Sequence, residues 1–200
     1  TLGMAVGTLA GEFERTQVIP ELDAYRFAKY AGAAAVAQVK TETPTAATIL
    51  GLIDDATAAL DDAEVPYEGR ILFVNPNTYK FIKGGVTRMV MNREDDVNYN
   101  VEMFNDMQVI TVPSGRFNTA VTINAPTTSA GAGGYTATGD AINYMIVHPS
   151  AVLQVVKHAV PRVFSPEVNQ EADAWKFDYR VYHDCWVKAQ KTNGIYVSHA

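Results

Sequence analysis

The chain has 200 residues, a length that suits one domain or one domain with a second lobe let into it. Hydrophobic residues make up 48% and charged ones 19%, which excludes disorder as an overall description. A net charge of −6 argues against a protein that grips nucleic acid by its phosphates, and no polybasic cluster points to an anionic membrane surface.

The chain opens on Thr1 with no basic-then-apolar leader, so its start reads as cut. Gly3, Gly7 and Gly11 recur among small apolar residues, and the expectation for residues 1–19 is a poor helix or a loop. Pro20 then opens a better helix, because its missing N–H would be unpaired in a first turn anyway. Glu21 and Asp23 favour the positive end of that helix. Running from Pro20 to about Lys40 it would be ~30 Å long, with Leu22 and Tyr25 on one side and Phe27, Ala31 and Ala34 on another. Apolar residues on two sides predict cover from two directions. The nearly apolar run 31–39 is far short of the ~20 residues a membrane span requires.

Thr43-Pro44 suggests a cap and first-turn proline for a second helix. Ile49, Ile53, Ala56, Leu60 and Ala63 form its buried stripe, and Pro66 and Gly69 end it. Residues 71–74 read as a short strand, and Asn75-Pro76 caps a helix stopped by Gly84-Gly85. A polar stretch covers 92–100, a strand 107–112, a turn 113–115 and another strand about 120–124. Thr, Ala, Ser and Gly fill 125–139, which predicts a mobile loop. The run 144–147 followed by His148-Pro149-Ser150 echoes the grammar at 71–76.

Residues 154–164 lean to strand, with Pro161 demoting them to an edge or a bulge. The longest regular pattern is 175–188, where Phe177, Tyr179, Val181, His183, Cys185 and Val187 alternate with Asp178, Arg180, Tyr182, Asp184, Trp186 and Lys188. At ~3.3 Å per residue such a strand is ~45 Å long and implies an elongated slab. Asn193-Gly194 then turns the chain so that 195–197 can pair back on it.

Few residues suggest chemistry. His183 and Cys185 fall on one side of a strand, within reach of a thiol–imidazole pair, and a thiol-dependent hydrolase or transferase is the reaction they would serve. Their apolar face weighs more heavily towards core filling. His148, His158, His183 and Cys185 lack zinc-ligand spacing. Asp54-Asp55 and Asp61-Asp62 lie off the apolar stripe and read as a solvated face, while Glu94, Asp95 and Asp96 lack the pattern of a calcium loop. Phosphate-loop, dinucleotide and serine-elbow motifs are missing from the sequence. A single cysteine excludes an internal disulfide and fits a reducing compartment.

The order of several segments carries a resemblance. Gly11-Glu12-Phe13-Glu14-Arg15-Thr16 leads into Val18-Ile19-Pro20-Glu21-Leu22, and Glu68-Gly69-Arg70-Ile71-Leu72-Phe73-Val74 precedes Pro76 and Tyr79. Val109-Ile110-Thr111-Val112-Pro113-Ser114, Ile146-Val147-His148-Pro149-Ser150 and Tyr179-Arg180-Val181-Tyr182-His183-Asp184 follow, then Asn193-Gly194-Ile195-Tyr196. Taken together they resemble the major capsid proteins of tailed bacteriophages and prophages, the Hong Kong-type coat fold, over nearly the whole chain.

The resemblance implies an α+β fold: a peripheral lobe with a long spine helix and long-stranded sheet, and an inserted axial lobe. Residues 1–42 would hold the spine, 43–139 the axial lobe and 140–200 the return to the periphery. Gly84, Gly85, Arg88, Arg93, Asp95, Asp96 and Tyr99 would lie on the capsomer-axis loop. The family's N-terminal arm and extended loop would precede residue 1, so the chain reads as N-terminally truncated. The implied role is a structural subunit, not an enzyme, that assembles with copies of itself into an icosahedral virion shell in the bacterial cytoplasm. It would enclose DNA without specific binding and would need no cofactor, metal or membrane. A nanocompartment shell on the same fold is the alternative within the resemblance.

Overall fold

The computed structural model describes residues 2–85, 101–124, 134–171 and 173–200. The chain begins as one long helical rod, Leu2 to Ala33. α1 (Leu2–Phe13) passes through a single wider π-turn, Glu14–Val18, into α2 (Ile19–Ala33). The start of the chain is thus helical, beyond the poor helix or loop expected there. Across the π-turn Phe13 and Ile19 keep helical dihedrals, and Glu12 takes both the Arg15 guanidinium (2.7 Å) and the Thr16 hydroxyl (2.6 Å).

The rod ends at Ala33 instead of near Lys40, because Ala34 turns to extended dihedrals and Val36–Gln38 makes a 3-10 turn. The chain is then captured as β1 (Val39–Thr41), and α3 (Ile49–Asp62), β2 (Ile71–Val74) and α4 (Pro76–Gly85) follow. Next come β3 (Met103–Phe104), β4 (Met107–Thr111), β5 (Val121–Ile123), β6 (Tyr135–Ala137) and β7 (Ile142–Val147). β8 (Val152–Phe164), β9 (Lys176–Val187) and β10 (Ile195–His199) complete the strands.

Six strands form one mixed sheet in the order β1-β10-β7-β2-β4-β3. β1 runs parallel to β10 and β2 to β4, and the other neighbours are antiparallel. Segments 1–42, 43–139 and 140–200 all lend strands to it. Helices cover both faces, so residues 144–147 of β7 read as a continuous apolar run with no alternation. Its Tyr144 and Ile146 face Ile49, Ile53 and Leu60 of α3 and Ile82 of α4. Met145 and Val147 face the other way, into a cluster with Phe27 and Tyr30 of α2, Phe117 and Cys185. Each fully buried Ile or Leu in these layers contributes about 2 kcal/mol.

The α3 stripe is as expected through Leu60, but the helix starts later than Thr43-Pro44. Its leading turn is closed by Thr45 and Thr48, whose side-chain oxygen accepts from the Thr45 amide at 3.0 Å. Residues 43–48 are needed to carry the chain from the sheet edge to the helix layer. The two echoing units are neighbours: β2 and β7 pair antiparallel, with Ile71 opposite Val147 and Val74 opposite Tyr144. Asn75 caps α4 through the Thr78 amide (2.7 Å), and His148 takes the Ser150 amide (3.2 Å).

Two further expectations change. Within 125–139, residues 125–133 lie outside the described residues, while Tyr135–Ala137 pairs with β5 as a strand. Threonine side chains suit a pleated surface, and Asn124 ties to the Thr136 hydroxyl at 3.1 Å. β10 does not return onto the long strand at 175–188. It enters the sheet between β1 and β7, where Ile195, Tyr196, Val197 and Ser198 are all buried.

β8 and β9 form a separate two-stranded ribbon, with a register slip between Val156 and His158. Pro161 sits opposite Tyr179 and is tolerated because β8 has a free edge. The twelve residues of β9 make a strand ~40 Å long, with the expected alternation of sheltered and exposed positions.

Candidate functional site

The ribbon lies along the helical rod, and aromatic contacts mark the seam. Phe13 meets Phe177 and Tyr179 edge-on at 6.1 and 6.0 Å, and the Tyr179 hydroxyl reaches Glu14 at 3.5 Å. Further along, Tyr25 meets the His183 ring edge-on at 5.3 Å and donates to Asp184 at 3.1 Å. Gln154 donates to the Tyr30 hydroxyl at 2.6 Å, beside Cys185. From Phe13 to Tyr30 is seventeen helical steps, ~26 Å, and from Phe177 to Cys185 is eight strand steps, also ~26 Å. Rod and strand therefore stay in step. The opposite side of α2 packs on the sheet, where Phe27 meets Phe73 at 5.2 Å and Phe117 at 4.9 Å. This is the two-sided cover expected of the helix.

Cys185 and His183 sit inside this seam. The thiol is 1% exposed, and burial, followed by the Asp184 charge, pushes its pKa up. Burial, with Arg26 next, pushes the His183 pKa down. Both shifts favour neutral forms, the opposite of a thiolate–imidazolium pair. Asp184 is held below the ordinary range chiefly by the Cys185 amide, which it accepts at 2.8 Å. A cavity of about 210 Å³ between Val18, Leu22 and Val181 reaches His183 but not Cys185. His148 bonds to Ser150 and to the Glu68 carbonyl, and His158 packs against Tyr182, so the four candidate ligands do not converge.

Of the expected axis-loop residues, Gly84 and Gly85 close α4, and a Cβ at Gly85 would lie 3.0 Å from Leu50 of α3. Arg88, Arg93, Asp95, Asp96 and Tyr99 lie outside the described residues. The segment that they occupy leaves from Gly85 and returns at Val101, whose amide donates to the Tyr79 hydroxyl of α4 at 3.0 Å. The β3–β4 turn lies at the same end. There Asn105 donates to Asp54 at 2.7 Å, and both Asn105 and Asp106 take positive φ.

No family model and no curated protein matches the sequence. Solved structures do match. A chain from Mycobacterium phage Che8 superposes with a TM-score of 0.63 at 14% identity, over 90% of this chain and 58% of that one. The mature capsid of bacteriophage PhiM1 gives 0.60 at 11%, over 90% and 60%. The capsid of cyanophage P-SCSP1u gives 0.60 at 15%, over 91% and 62%. The fold is that of phage capsid proteins. The chain spans 58–62% of the lengths of these capsid-fold chains.

Within this capsid fold, two polar anchors escaped the sequence reading. The Glu42 carboxylate accepts from Ser198 (2.6 Å), Tyr144 (2.9 Å) and Tyr196 (3.3 Å), and its carbonyl accepts from Asn143 (2.8 Å). Those donors come from β7 and β10, far away in sequence. Arg70 is 1% exposed and donates to the carbonyls of Pro66 and Val65 and to Asp61. Asp61 thus pairs with a buried arginine and is not simply part of a solvated face; the arginine nine residues on, just before a strand, is the sequence signal for it. Among the described residues no helix is long and apolar enough to cross a membrane, and no three metal-ligating side chains gather.

Proposed function

We propose that this chain is a major capsid subunit that self-assembles into an icosahedral shell enclosing phage DNA. The observation that carries the reading is the capsid fold itself, matched over nine-tenths of the chain. The arrangement of the rod and ribbon supports it. A long helix backed by a ~40 Å strand makes a wide plate with large edges, and many copies of such a plate bury those edges against each other in a closed symmetric shell. The chemistry fits a structural part: the one thiol is buried and neutral, and serves the core.

In this reading residues 1–42 and 140–200 form the peripheral lobe and 43–139 the axial lobe. The segment running from Gly84 and Gly85 through Arg88, Arg93, Asp95 and Asp96 to Tyr99 faces the capsomer axis. An acidic wall leaves enclosed DNA unbound, and assembly takes place in the bacterial cytoplasm. The test is electron microscopy of the complete gene product expressed in bacteria. Capsomers or closed shells are expected; a product that stays monomeric at every concentration overturns the reading.

A further inference from the structure

One face of the β8–β9 ribbon is turned away from the rod and carries more positive than negative charge, with Lys157, Arg162 and Arg180 set against Asp178. Lys157, His158, Arg162, Arg180 and Tyr182 line a cleft of about 340 Å³ there. The three permanent cations are exposed and make no ion pair among the described residues. Arg180 instead sits over the Tyr182 ring, 4.6 Å from its centroid, and donates to its hydroxyl. Arg162 stands opposite Asp178 and Val160 opposite Arg180, so the two guanidinium groups are diagonal neighbours on one face. In a chain of net charge −6 this patch needs an explanation.

The complementary surface is on the same molecule. α3 carries Asp54, Asp55, Asp61 and Asp62, all exposed, and no lysine or arginine. Asp54 is engaged by Asn105 and Asp61 by Arg70, which leaves Asp55 and Asp62 without a hydrogen-bonded or ion-pair partner among the described residues. Seven residues apart on a helix, they point the same way, ~10 Å from each other. α3 covers the sheet face opposite to the one that α2 covers. The acidic stripe and the basic cleft therefore lie on different sides of the chain.

We propose that the basic cleft of the ribbon receives the Asp55–Asp62 stripe of a second copy of this chain. The contact is heterologous, one patch meeting a different one, and such contacts close into rings when the rotation allows. Opposite potentials steer the copies together and reject like-charged docking, more than they add raw affinity. The inference rests on the reading of the chain as an assembling subunit and names the surfaces it uses.

The complete gene product tests it, in four versions compared by sedimentation velocity: unaltered, Arg162→Glu with Arg180→Glu, Asp55→Lys with Asp62→Lys, and all four changes together. Each double reversal is expected to raise the concentration at half-association by about tenfold or more, and the fourfold version restores it by restoring opposite signs. Association of the unaltered product should weaken as salt rises. Circular dichroism checks each fold; the milder pairs Arg162→Gln with Arg180→Gln and Asp55→Asn with Asp62→Asn, with the same direction expected, replace any version that fails to fold. Double reversals that leave association unchanged, or a loss that the fourfold version does not recover, overturn this inference while the shell reading stands. An unaltered product that never associates overturns both. Duplex DNA retarded by the unaltered protein and released by Arg162→Glu with Arg180→Glu, with association intact, overturns the inference in favour of a phosphate partner.

Discussion

The ring of Phe13 meets that of Phe177 edge-on at 6.1 Å and joins the helical rod to the far end of the ribbon. Phe13 is itself 39% exposed, so the contact works as a clasp at the rim of the seam. An aromatic pair of this kind is worth about 1 kcal/mol beyond its buried area. Phe13→Ala should therefore cost little global stability while freeing the distal ribbon. Hydrogen exchange is expected to quicken at residues 160–164 and 176–180 and to stay slow in β7 and β10. Uniform quickening across all strands would show that the clasp is not local.

Glu42 holds a different junction, where the linker from β1 to α3 crosses the ends of β7 and β10. Tyr144 and Ser198 are fully buried, so their hydroxyls have no water to turn to if the carboxylate is removed. Leaving buried donors unsatisfied costs ~1–3 kcal/mol each. Glu42→Ala is expected to lower unfolding free energy by about 3 kcal/mol in urea titrations. Glu42→Gln, which keeps one acceptor oxygen, should lose about half as much. Equal and small losses for both would mean that the hydroxyls find other acceptors, such as the Leu52 carbonyl 3.1 Å from Tyr144.

What the sequence showed and what it hid divides by the range of the interaction. The α3 stripe through Ile49, Ile53, Ala56 and Leu60, the alternation along β9 and the Asn75 cap are local patterns, and each formed as read. The partner of β10 is set by non-local pairing with β7 and β1, and a turn at Asn193-Gly194 could not reveal it. The helical start was masked by Gly3, Gly7 and Gly11, which lower helix propensity, and it is held from afar: Phe13 finds its partners 164 and 166 residues later, at Phe177 and Tyr179. The capsid likeness was legible in the order of segments. Most of the axis-loop residues expected from it lie outside the described residues, so their placement stays with the proposal.

The Cys185 thiol should behave as core. With 1% exposure and a pKa raised by burial, it offers alkylating reagents neither access nor thiolate. Labelling of the native protein at neutral pH is expected to be far slower than that of the unfolded chain and to rise with denaturant along the unfolding curve. Rapid labelling without denaturant, with a rate that follows a single ionisation near neutrality, would revive the hydrolase or transferase reading that the structure does not support.

The stacked phenols of Tyr144 and Tyr196 make stability sensitive to alkali. Burial first, and the Glu42 charge next, raise both pKa values, and that of Tyr196 reaches about 12 from an ordinary 10. An acid group whose pKa is higher in the folded chain keeps its proton there after the unfolded chain has lost it. Above about pH 10 the folded state thus binds more protons, and stability falls as pH rises. The contribution is full and flat below that point, and the part due to Tyr196 is spent by about pH 12. Urea midpoints should therefore hold level up to about pH 10 and decline above it, with a shallower decline in Tyr196→Phe. Midpoints that stay level across this window, or phenolate absorbance from all ten tyrosines before unfolding begins, would show that these two hydroxyls are not held as described.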